Sequence, residues 1–160
     1  MSISAPEAFG RLEGLKVAYV GDGNNVARSL ALVGAIAGVE VAVASPEGYT
    51  LTGAPDALLT SDPAEAVAGA NAIYADVWVS MGDEGEAQRR RAALAPYRLD
   101  DDLLSVAKDE AVVLHCLPAH PGEEIAAEAL YGSRSAVWDQ AENRLHTQNA
   151  LLSTLLAGQD

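Results

Sequence analysis

Four short clusters hold the side chains of this sequence that could do chemistry. They are Gly21-Asp22-Gly23-Asn24-Asn25, Asp76-Val77-Trp78-Val79-Ser80-Met81-Gly82, His115-Cys116-Leu117-Pro118, and Trp138-Asp139-Gln140-Ala141-Glu142-Asn143-Arg144. An ammonium group needs a fixed carboxylate partner, which Asp76 could be, and backbone groups near Ser80 and Met81 could hold a carboxylate. That pairing suits an amino acid, and Asn24 and Asn25 could present amide donors and acceptors to the same zwitterion. Taken alone, Asp76 would equally serve as a helix cap or a turn residue. Cys116 beside His115 could have a tuned thiol acidity, but a free cysteine also packs as a small buried hydrophobe. One cysteine with His115 and His120 nearby is too small a ligand set for zinc, so no metal is expected.

The first cluster begins like a dinucleotide fingerprint, but Val26 stands where the third glycine belongs. Near the end of the second strand, where a ribose-binding acid would be expected, the sequence reads Ser45-Pro46, with Glu47 only in the following loop. A glycine turn needed for backbone shape alone explains Gly21 and Gly23 without a nucleotide.

Positioning these clusters requires a frame, and the sequence supplies an alternating one. Lys16 to Val20, Val39 to Ala44, Asn71 to Ala75 and Ala111 to Leu114 are short apolar runs that read as buried strands. Leu58-Leu59-Thr60 is a further short strand, and Ala136-Val137-Trp138 reads as a last one. Val26, Leu30, Val33 and Ala37 recur at helical spacing until Gly38 stops them. Ser61-Asp62-Pro63 starts a second helix. Helical segments are also expected around Arg89-Arg90-Arg91, from Asp100 to Val106, and from Asn143 to Leu156. The predicted fold is therefore α/β, a doubly wound, mainly parallel Rossmann-like sheet of about four to five strands with helices on both faces. In such a sheet ligands collect at the carboxyl ends of the strands, and each of the four clusters follows a predicted strand there.

The 160 residues suit one domain, and an apolar content of 49% can build a core. Twenty-three acidic residues against 10 basic ones give a formal charge of -13, which repels nucleic acid and anionic membrane surfaces. No apolar run approaches the ~18 residues of a membrane span. The single cysteine, Cys116, cannot form an internal disulfide, and a cytoplasmic location is expected.

Taken together, in order and content, the four clusters resemble the ornithine carbamoyltransferases, from about Phe9 to Leu156. The Ser80-Met81-Gly82 and His115-Cys116-Leu117-Pro118 elements separate the ornithine enzymes from the related aspartate transcarbamylases. The resemblance implies a single ornithine-binding domain over residues 1–160 that works without metal or organic cofactor. It implies that Asn24, Asn25, Asp76, Ser80 and Met81 hold the α-amino and α-carboxylate groups of L-ornithine. Cys116, assisted by Asp76, would promote deprotonation of the δ-amine. The backbone at Cys116 and Leu117 would face the carbamoyl group, and Arg144 would reach carbamoyl phosphate. A cis Leu117–Pro118 bond and a homo-oligomeric full enzyme are also implied. The Ser-Thr-Arg-Thr-Arg phosphate loop and His-Pro motif of the family's other domain occur nowhere in these residues, so the chain alone is expected to be inactive. The stretch from Tyr49 to Asp76 is also shorter than the family's, which usually has an additional helix there.

Overall fold

The computed structural model describes residues 8–79 and 84–157. Five parallel strands, β1 (Lys16–Val20), β2 (Glu40–Ala44), β3 (Leu58–Thr60), β4 (Ala72–Ala75) and β5 (Val112–His115), form one sheet in the order β3-β2-β1-β4-β5. The α-helices that accompany them are α1 (Asn25–Ile36), α2 (Pro63–Val67), α3 (Ala87–Leu94), α4 (Asp101–Leu104), α5 (Ala127–Tyr131) and α6 (Val137–Ala157).

Side-chain alternation along the strands divides the interior into two apolar layers. Ala18, Val20, Ala42, Ala44, Ile73, Ala75 and Val113 face one layer, closed by α2, α4 and α5 through Val67, Leu104 and Leu130. Val17, Tyr19, Val41, Val43, Ala72, Tyr74 and Leu114 face the other, closed by α1 through Ala27, Leu30 and Ala31. Both faces of β1, β2, β4 and β5 are buried, which is why these strands read as continuous apolar runs, while the edge strand β3 is partly exposed. Val26 does not prevent a close approach of helix to sheet, because Gly34 supplies one. A Cβ at Gly34 would stand 2.5 Å from the Val41 side chain.

From β1 the chain runs outward through β2 and β3, then returns to place β4 and β5 on the other side of β1. The switch point therefore lies between β1 and β4, where a crevice opens beyond the strand ends.

Two expectations fail together near the end of the chain. Ala136-Val137-Trp138 is not a strand, since the segment makes only a single parallel bridge, Val113 to Ser135, before turning into α6. The Ala136 carbonyl already accepts the helical bond from the Gln140 N–H. Val137 and Trp138 have the β-branched and aromatic types favoured in strands, but burying Val137 against the core at a helix start overrides that preference. Asp139 to Arg144 is consequently the first part of a helix and not a loop. Helix α5 was not foreseen from the sequence.

Candidate active site at the carboxyl edge of the sheet

Asp76, immediately after β4, is 5% exposed and is surrounded by donors. Its Oδ2 accepts from Asn24 Nδ2 at 2.9 Å and from the Tyr19 hydroxyl at 3.4 Å. Its Oδ1 accepts from the Val77 N–H at 2.8 Å and from the Cys116 thiol. A carboxylate offers roughly four acceptor positions, so this set is full. Asn24 is the N-cap of α1, its Oδ1 accepting from the N–H groups of Val26 and Ala27 at 2.9 and 3.1 Å. The Tyr19 hydroxyl shares its one proton between Asp76 and Asn24 Oδ1, the latter at 3.2 Å. Burial foremost, and then the charge of Asp76, raise the Tyr19 hydroxyl well above its ordinary acidity range, so it stays a donor.

Cys116, just past β5, is half-buried. Burial first, and then the hydrogen bond to Asp76 and its charge, push the thiol up to about 12. At neutral pH the sulfur is therefore protonated and donates to Asp76.

Beside this pair lies a cavity of about 410 Å³, lined among others by Asn25, Ser29, Tyr74, Cys116, Gln140 and Arg144. Helix α1 supplies one wall. Helix α6 supplies the opposite wall with Gln140 and Arg144, four positions apart and so on one face. The structure thus brings Asn25, Cys116 and Arg144 to one cavity. Asn24 and Asp76 do not line it, but Asn24 donates to Asp76, which in turn accepts from the Cys116 thiol.

Leu117 does not line the cavity either. Its N–H donates to His115 Nδ1 at 2.9 Å, and its side chain packs on the α2 side of the sheet. The Leu117–Pro118 bond is cis, and Leu117 has φ 53°. The His115 N–H donates to Gln140 Oε1 at 3.0 Å, and Gln140 Nε2 donates to the Tyr74 hydroxyl at 3.1 Å. Gln140 thereby joins β5, β4 and α6. No role was foreseen for it, although Gln140, Asn143, Arg144, Thr147 and Gln148 share one helical face. That spacing is masked in the sequence because Ala136-Val137-Trp138 reads as a strand, which takes residues 139–142 out of the helical period. Tyr19, Tyr74 and Glu124 were also missed, since single buried polar residues carry no sequence signal of their own.

At the crevice rim, Arg90 of α3 donates to Asp22 and, at 2.8 Å, to the Trp78 carbonyl, while lying 5.2 Å over the Tyr49 ring. One side chain thus ties α3 to the glycine loop, the 45–57 segment and the chain leaving Asp76. Ser80, Met81 and Gly82, expected to hold the substrate carboxylate, lie outside the described residues.

The glycine loop is not shaped as a phosphate cradle. The Gly23 N–H donates to the Tyr49 carbonyl at 2.8 Å, and a Cβ there would fall 2.2 Å from the Leu51 nitrogen. The amides of Val26 and Ala27, which a pyrophosphate would use at the α1 N-terminus, are taken by Asn24, and the Asp76 carboxylate stands beside them. Among the described residues no three His, Cys, Asp or Glu side chains group as metal ligands, and no helix is long and apolar enough to cross a membrane.

The fold and the crevice place the chain in a class, the doubly wound α/β domains with a cavity at the carboxyl edge of the sheet. Residues 13–155 match the family model described as aspartate/ornithine carbamoyltransferase, Asp/Orn binding domain, and the chain belongs to that family. It is similar to the ornithine carbamoyltransferase of Gloeobacter violaceus, with 52% identity over 95% of this chain and 53% of that protein. The ornithine carbamoyltransferase of Acidothermus cellulolyticus is 53% identical over 94% of this chain and 52% of its own length. The crystal structure of the Thermus thermophilus enzyme of the same name superposes with a TM-score of 0.88 at 47% identity, over 96% of this chain and 52% of that one. The chain spans about half the length of the relatives it matches.

Proposed function

We propose that this chain is the ornithine-binding half of an ornithine carbamoyltransferase, which moves the carbamoyl group of carbamoyl phosphate to the δ-amine of L-ornithine and yields L-citrulline and phosphate. The observation that carries this reading is the Asp76–Cys116 pair beside a cavity with Asn25 on one wall and Arg144 on the other.

The filled acceptor set of Asp76 dictates how a cationic amine would arrive. The ammonium must displace one of four donors, and the Cys116 thiol is the weakest of them and belongs to the one donor side chain that lines the cavity. The amine then lies between carboxylate and sulfur, and the proton that keeps it from being a nucleophile passes to the Asp76 carboxylate, the thiol being already protonated. Asn25, Ser80 and Met81 hold the α-amino and α-carboxylate groups, with Asn24 and Asp76 as the support beneath them. Arg144 and the backbone of Cys116 and Leu117 are directed to carbamoyl phosphate. No cofactor is needed, because positioning and charge stabilisation supply the catalysis. A free cysteine fits the cytoplasm, and the full enzyme is a homo-oligomer.

Titration with L-ornithine and with L-norvaline, which has no δ-amine, tests the reading by chemical-shift changes at Cys116 and Asn25. Ornithine should bind at least about tenfold more tightly, since the charged contact with Asp76 is worth roughly 1.5–3 kcal/mol. Equal affinity for the two, or no ornithine binding at millimolar concentration, contradicts it.

A further inference from the structure

The turn that presents Cys116 is held by a residue to which neither the cluster reading nor the family match assigns a part. Glu124 is 1% exposed, and it does not line the cavity. Its Oε1 accepts from the His120 N–H, at the end of the turn, and stands 3.3 Å from His115 Nε2, at the beginning. His115 is itself buried, and its other ring nitrogen accepts from the Leu117 N–H at 2.9 Å. An acceptor at Nδ1 leaves the ring proton at Nε2, facing Glu124. The Nε2–Oε1 contact is off hydrogen-bonding geometry, and among the described residues neither His115 Nε2 nor Glu124 Oε2 has a hydrogen-bond partner, Oε2 standing 3.7 Å from His120 Nδ1. Two buried polar groups retained so imperfectly satisfied make a poor device for stability alone. They do fix three consecutive points of one turn: the His115 ring, the Leu117 N–H and the His120 N–H.

We infer that Glu124 is a positioning residue for Cys116, acting through His115 and His120 to hold the 116–119 turn so that the sulfur points at Asp76. The inference rests on Cys116 belonging to the substrate site proposed above. The titratable side chains that reach the sulfur are Asp76, Tyr74 and Tyr19, none of which contacts Glu124.

Cys116 is the only cysteine, so the rate at which iodoacetamide alkylates the whole chain at pH 8 reports this one sulfur. A thiol released from Asp76 ionises more readily, and each pH unit of lowered thiol pKa gives about tenfold more thiolate. In Glu124→Ala, alkylation should be at least about tenfold faster than in the wild type. Glu124→Gln, which keeps an oxygen where Oε1 stands, should remain within about twofold of wild type. Val67→Ala, a cavity in the same apolar layer but on α2, should also leave the rate unchanged and control for general loosening. A folded Glu124→Ala reacting at the wild-type rate overturns the inference, as does equal acceleration in Glu124→Gln or Val67→Ala. If Glu124→Ala does not fold, Glu124→Asp decides. Its oxygen is withdrawn by one methylene, so acceleration of about threefold or more supports the inference and a wild-type rate overturns it. No ornithine is present in this assay, so its failure is distinct from a failure of ornithine to bind.

Discussion

Asp76 is held by four donors that come from three strand ends and one helix cap, and its neighbours can be tested one by one. In Asp76→Asn, an NH₂ group must face donors on one side or the other, because all four partners donate. The substitution should cost about 1–3 kcal/mol in urea denaturation and leave donors unpaired. Cys116 gives a pH signature with a determined sign. Its thiol moves from an ordinary 9.0 to about 12 on folding, so the neutral form is favoured in the folded state. That contribution is fully present below pH 9.0 and is lost as pH rises toward about 12. Tyr19 and Tyr74 are raised as well and act in the same direction at alkaline pH. Stability measured by denaturation should therefore fall above pH 9, and Cys116→Ser should show a shallower fall by the share of one proton.

The elements decide where these residues meet, and some of that placement can be read from sequence. The apolar runs, the glycine turn and the helix period from Val26 place Asn24, Asn25, Asp76 and Cys116 at one sheet edge before any coordinate is seen. The cavity wall formed by α6 could not be read in the same way. Val137 and Trp138 have strand-like types, and only tertiary burial makes them a helix start. The double duty of Asn24 is also invisible in sequence, since a cap and a carboxylate ligand call for the same residue type. Substitution separates the two duties. Asn24→Ala should cost about 0.5–2 kcal/mol through loss of the cap. Asn24→Ser should keep the cap within roughly a few tenths of a kcal/mol, yet remove the amide that donates to Asp76. Serine is expected to restore most of the stability in urea denaturation while ornithine affinity remains reduced. Recovery of both together would show that the amide does not support Asp76.

At the scale of the whole molecule, the leucine-bearing side of α6 is the conspicuous surface. Leu145, Leu151, Leu152, Leu155 and Leu156 are 57–68% exposed. Burying one leucine is worth roughly 1.5–3 kcal/mol, so this side of the helix favours association. Sedimentation of the 160-residue chain should show concentration-dependent self-association, which Leu152→Glu with Leu155→Glu should abolish with the melting temperature retained. If those leucines instead held the fold together, the double substitution would unfold it. The same 160 residues assayed alone should make no citrulline, because bringing two substrates together accounts for about 7–11 kcal/mol of barrier lowering. Joining them to the unmatched half of the Gloeobacter violaceus ornithine carbamoyltransferase, 52% identical over the shared part, restores the length of a whole relative for an activity assay. The hybrid should form citrulline from ornithine and carbamoyl phosphate, and Asp76→Ala should slow it at least about a hundredfold. A folded hybrid that binds carbamoyl phosphate but forms no citrulline would contradict the account.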